Sequence, residues 1–95
     1  MKLLTNEQHA RLLANGRATQ EAQKAGRREP DHWPVVKLFT PDAGATWLLT
    51  ELDPDEPEIA FGLCDLGLGF PELGSVSLLE LAQVRGKLGL PVERD

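Results

Sequence analysis

The chain has little of several things that small proteins lean on. Among its 95 residues there is no tyrosine, and two tryptophans and three phenylalanines supply every aromatic ring. Each ring therefore carries an unusual share of any core. One cysteine, Cys64, excludes an internal disulfide and fits a reducing cytosol. No apolar run approaches the ~20 residues that cross a bilayer, and Leu3-Leu4 meets polar residues at once. Neither a membrane association nor a secretory leader is expected, and the expected location is the cytoplasm.

Positive charge is scarce where most of the chain lies. Residues 1–37 hold seven Lys/Arg and four Asp/Glu, whereas residues 38–95 hold three and eleven. An acidic body repels phosphate, so strong nucleic-acid binding is not expected. The basic tract at Lys24, Arg27 and Arg28 reads as a solvated connector. Hydrophobic residues make up 41% and charged residues 26%, which is ordinary for one globular domain of this length.

Thr5 and Gln8 have capping-box spacing, which predicts a helix over residues 5–14 with Leu4, Leu12 and Leu13 as its apolar stripe. Asn15-Gly16 suits a helix stop. Residues 17–32 contain no Val, Ile, Leu, Met, Phe or Trp. With no large apolar group to dock, they read as a frayed helix or mobile polar connector. Strands are expected at 35–40, 46–52 and 58–65. The turn at Pro41-Asp-Ala-Gly44 separates the first two, and Asp53-Pro-Asp-Glu-Pro57 breaks pairing before the third.

If residues 53–57 are the loop, Leu52 faces Glu58, and Trp47, Leu49, Ile59, Phe61 and Leu63 share one face. Leu48, Leu52, Ala60, Gly62 and Cys64 then form a second apolar face, one that a helix or another subunit would cover. A glycine-rich loop at 66–74, a short strand near 74–76 and a two-turn helix from Ser77-Leu-Leu-Glu80 follow.

Few residues assemble into recognisable chemistry. Gly67-x-Gly69 lacks the third glycine of a dinucleotide loop, and Pro71 stands where a helix should open. Asp53, Asp55, Glu56 and Glu58 lack the glycine of a calcium loop, so a solvated hairpin tip fits them better. His9, His32 and Cys64 are too few and too scattered for zinc, and Cys64 has no adjacent base to activate it. No metal or cofactor is expected. One sharper possibility is a polar pocket at a sheet end built from Lys37, Glu51, Asp65, Glu72 and Arg94. There Lys37 or Arg94 would grip an anion while a carboxylate acts as base.

Longer segments carry a resemblance. Val35-Val-Lys-Leu-Phe-Thr-Pro41, Thr46-Trp-Leu-Leu-Thr-Glu-Leu-Asp53, Ile59-Ala-Phe-Gly-Leu63 and Asp65 are part of it. Lys2-Leu-Leu-Thr5, Glu72-Leu-Gly74, Ser77-Leu-Leu-Glu-Leu81 and Gly89-Leu-Pro-Val-Glu-Arg-Asp95 continue it. Together they resemble an uncharacterised bacterial family, a domain of unknown function often found on plasmids and other mobile elements. The resemblance brings no activity, cofactor or catalytic residue with it. It implies an accessory or host-interaction role, and a further strand or helix beyond Asp95 that closes the sheet.

The reading is a single α+β domain over residues 1–95. It expects a three- to four-stranded antiparallel sheet with an N-terminal helix and a short C-terminal helix. The leading function is a small cytoplasmic accessory or interaction module that self-associates, or meets a protein partner, through the second sheet face. The alternative is a small enzyme or anionic-ligand binder using the five-residue polar pocket.

Overall fold

The structure, a computed structural model, describes residues 3–95. Thr5 opens the first helix, α1 (Asn6–Lys24), through the expected capping box. The Gln8 amide donates to Thr5 Oγ1 and the Thr5 amide to Gln8 Oε1, each at 3.0 Å. The helix does not stop at Asn15-Gly16, and residues 17–24 are not connector. It runs on to Lys24, with Leu12, Gly16, Thr19 and Ala22 buried along one stripe. These recur every three or four residues, the period of one helix face. Small groups can dock as well as large ones when the backbones come close. Residues 25–35 then lead to the sheet without helix or strand.

Among the described residues five strands form the sheet: β1 (Val36–Phe39), β2 (Thr46–Leu52), β3 (Ile59–Asp65), β4 (Glu72–Ser77) and β5 (Glu93–Arg94). Their spatial order is β4-β3-β2-β1-β5, and every neighbouring pair is antiparallel. The fold class is the expected α+β, with one strand more than anticipated. The addition is β5: residues 93–94 return beside Leu38 and Phe39 of β1.

The expected register and faces both need correction: Leu52 pairs with Ala60 rather than with Glu58, a shift of two that by itself keeps the faces. Between Leu49 and Glu51 the register then slips by one, leaving Thr50 as the extra residue of a bulge. Side chains alternate with period two, so a single extra residue exchanges the faces. Trp47 consequently pairs with Cys64 and Leu49 with Gly62, while Phe61 and Leu63 lie on the other side. Phe61 is 38% exposed, and the supposed second face does not exist in that form, since Leu52 and Ala60 are fully buried. Close approach also explains the small residues of β3. A Cβ at Gly62 would overlap the Leu48 carbonyl oxygen and crowd the Leu49 Cα.

The core joins Val36, Leu38, Trp47, Leu49, Leu52 and Ala60 of the sheet to Leu4, Leu12, Leu81 and Val92. Leu81 comes from α2 (Leu78–Leu81), one turn rather than two, capped by Ser77 Oγ accepting from the Glu80 amide at 3.2 Å. Among the described residues no helix is long and apolar enough to cross a membrane.

Candidate functional site

The site begins where α1 meets the far end of β2. The β1 ladder ends at the Val36–Leu49 pair, with the Val35 amide still donating to the Leu49 carbonyl. One residue further along, the Thr50 carbonyl accepts from Asn15 Nδ2 at 2.9 Å. Gly16 lies against Leu52, where a Cβ would overlap the Leu52 carbonyl oxygen. Asn15 and Gly16, which suit a helix stop in isolation, instead join helix to strand.

This junction forms one wall of a cleft of about 410 Å³. From α1 come Thr19, Gln20 and Gln23; Glu51 stands at the end of β2, and Asp53 to Asp55 belong to the following loop. Ile59, Phe61 and Ser75 complete the opposite side toward β4. Four carboxylates, of Glu29, Glu51, Asp53 and Asp55, line the cleft, and among the described residues no Lys or Arg does. Neutral donors hold them in place. Gln23 Nε2 donates to Glu29 at 3.1 Å, Gln20 Nε2 to Asp55 at 2.9 Å, and the Asp55 amide to Asp53 at 2.9 Å.

Glu51 ends a chain of hydrogen bonds. Thr19 Oγ1 donates to Glu51 Oε1 at 3.1 Å and lies 3.1 Å from His32 Nε2. A hydroxyl has one proton, so with that proton on Glu51 the His32 Nε2–H must be the donor to Thr19. Burial pushes the Glu51 carboxyl above its ordinary value, helped by Glu29 and Asp53 and opposed by the Thr19 bond and His32.

The folded chain thus holds the Glu51 proton more tightly than the unfolded chain. The stability this lends is complete below the unfolded value and lost as pH rises through the folded one. Glu51→Gln, which keeps an oxygen for Thr19, should therefore raise Tm at neutral pH. The side chain is partly solvated, so the gain is small, about 1–2 °C, and it should vanish below about pH 4. Thermal melts across that range test this; a lower Tm at neutral pH would mean that the carboxylate stabilises the fold.

The five polar residues singled out from the sequence are spread over the sheet. Glu51 lines the cleft. Lys37 is exposed on β1 with its Nζ 3.9 Å from Asp95, a solvated ion pair of little energetic weight. Asp65 Oδ1 accepts from the Gly67 amide at 2.9 Å and shapes the β3–β4 turn. Glu72 and Arg94 belong to one row, Glu72–Cys64–Trp47–Leu38–Arg94, but stand on opposite edge strands. Four strand spacings, roughly 19 Å, separate them. Lys37 and Arg94 therefore do not join Glu51 around one anion.

Sequence reasoning missed Thr19 and His32, because neither has a motif around it. Thr19 had one signal, the Leu12, Gly16, Thr19, Ala22 spacing, and His32 had none. Among the described residues, no three His, Cys, Asp or Glu side chains group so as to hold a metal ion. Gly67 and Gly69 adopt positive φ in the β3–β4 turn, which leads into a strand rather than a phosphate-binding helix. Cys64 is half-buried, and burial pushes its thiol up, away from reactivity.

The cleft opens toward an edge of the sheet. Among the described residues β4 pairs with β3 on one side only, and Leu73 on it is 69% exposed. Leu73, Leu63 and Leu48 form an apolar row on the side away from the core, and the row Ser75–Phe61–Glu51 runs beside it. Leu66, Leu68 and Phe70 are also exposed in the preceding turn.

Residues 3–95 match the family described as "Protein of unknown function (DUF2958)". No curated protein and no solved structure matches the chain.

Proposed function

We propose that the chain, which belongs to the DUF2958 family, is a protein-interaction module that accepts an added strand at β4. The observation that carries this reading is the contrast between the two sheet edges. β5 is two residues long and both are charged, a common way of discouraging pairing. β4 is six residues long with one charge, Glu72, and it exposes Leu73 beside the apolar row of β3. An unpaired strand of this kind offers backbone donors and acceptors to an extended segment. An anionic ligand is a poor fit to the cleft, since four carboxylates and, among the described residues, no Lys or Arg line it. A cytoplasmic accessory role, in the mobile-element setting that the resemblance implies, accords with this reading.

Pairing of β4 with a second copy is the self-associating form of the module. Two-fold antiparallel pairing is self-complementary, but it joins two chains of net charge −5. It also brings Glu72 of the mate toward the Ser77 end, beside the acidic cleft. Self-association should therefore be weak and strengthen with salt. Sedimentation equilibrium at about 0.05 and 0.5 M salt should show a monomer–dimer equilibrium that shifts toward dimer in the second buffer. Leu73→Lys should be folded and monomeric in both. A wild type that is monomeric throughout, or a dimer indifferent to Leu73→Lys, counts against self-pairing through β4.

A further inference from the structure

We infer that the preferred occupant of β4 is an extended segment of another protein carrying an arginine, whose side chain lies across Phe61 to reach Glu51. The inference rests on the module reading and names its partner chemistry. Residues paired across an antiparallel sheet point to the same side, so Ser75, Phe61 and Glu51 form one lane running inward from the edge. All three line the cleft. At the edge the lane is open, because Ser75 is small and exposed. Its floor is the Phe61 ring, over which a guanidinium can stack. At the inner end is Glu51, fixed by Thr19, with Glu29, Asp53 and Asp55 around the same cleft.

Distance and charge both fit. A residue added opposite Ser75 stands three strand spacings from Glu51, roughly 14 Å, which an arginine and a glutamate can span together. Lysine would reach the carboxylate but lacks the flat face that stacks on the ring. A second copy of β4 brings no basic residue, since the strand reads Glu72-Leu-Gly-Ser-Val-Ser77. A segment alternating apolar and basic residues instead puts its arginines on the face of Ser75 and Leu73, one of them entering the lane, and its apolar residues on the opposite face beside Gly74 and Val76.

Three fluorescent peptides of equal length test this by anisotropy against the full chain. One alternates Val and Arg, one alternates Val and Ser, and the third is the Val/Arg peptide with alternate backbone nitrogens methylated. The Val/Arg peptide should bind most tightly and weaken as salt rises, the Val/Ser peptide weakly and without salt dependence, and the methylated peptide not at all. Glu51→Gln should cost the Val/Arg peptide about five- to tenfold in affinity and leave the Val/Ser peptide unchanged. Because that variant is expected to be slightly more stable, its lost affinity cannot be attributed to unfolding.

Equal binding of the Val/Arg and Val/Ser peptides overturns the arginine lane and leaves the module reading standing. Undiminished binding of the methylated peptide overturns it too, since attraction alone would suffice. If no peptide binds but the wild type dimerises through Leu73, the inference falls and the module remains. If no peptide binds and no dimer forms, both fall.

Discussion

Replacing Trp47 with alanine should cost the fold about 3–5 kcal/mol, whereas replacing Phe61 should cost about 1 kcal/mol or less. Both rings stand on neighbouring central strands, and strict alternation from a five-residue loop would place them on one face. The bulge at Thr50 puts them on opposite faces. Trp47 is 6% exposed and packs in the cluster with Leu38 and Leu49, so its truncation removes apolar contact and leaves a cavity. Phe61 already meets solvent. With so few aromatic rings, and a total stability for such domains of about 5–15 kcal/mol, loss of Trp47 should leave a marginal protein. Urea denaturation of the two variants measures the difference. Equal losses would put the rings on one face and remove the bulge; a larger loss at Phe61 would invert the sheet.

That contrast shows where the sequence was legible. Signals that act over a few residues were readable: the Thr5–Gln8 box, the turn at Pro41 to Gly44, and the bounds of β2, expected at 46–52 and found there. Face assignment failed because it depends on parity accumulated over a whole hairpin. One unpaired threonine, with no proline or glycine to mark it, reversed every subsequent residue. β5 escaped for another reason. Two residues have no period, and Glu93 and Arg94 owe their strand geometry to the β1 edge they join. Of the site, Glu51 is legible in the sequence as a pocket candidate, and Asp53 and Asp55 only as part of a hairpin tip. What brings them together is the second half of α1, which has no large apolar residue to announce a docked helix.

The second large effect concerns that half of the helix, and it reverses an ordinary expectation. On an open helix face, glycine to alanine stabilises by about 1 kcal/mol, because alanine orders the backbone at less entropic cost. Gly16→Ala should instead destabilise, by about 2 kcal/mol net. Its new methyl would occupy the position of the Leu52 carbonyl oxygen, and the side of Pro54 stands close by at 3.3 Å. That oxygen belongs to backbone and cannot swing aside as a flexible side chain would. Leu52 is fully buried, pairs with Ala60, and is followed by an Asp53 amide that donates to the Ile59 carbonyl at 2.9 Å. The helix must yield, at the roughly 1–3 kcal/mol typical of overpacking, and its retreat stretches the Asn15–Thr50 and Thr19–Glu51 bonds as well. Asn15→Ala, which deletes one of those bonds without adding bulk, should cost only about 1 kcal/mol. Urea midpoints for the two variants, with helix content followed by circular dichroism, decide the matter by sign. A Gly16→Ala protein more stable than wild type would mean that α1 stands clear of β2, and the cleft that depends on their contact would go with it.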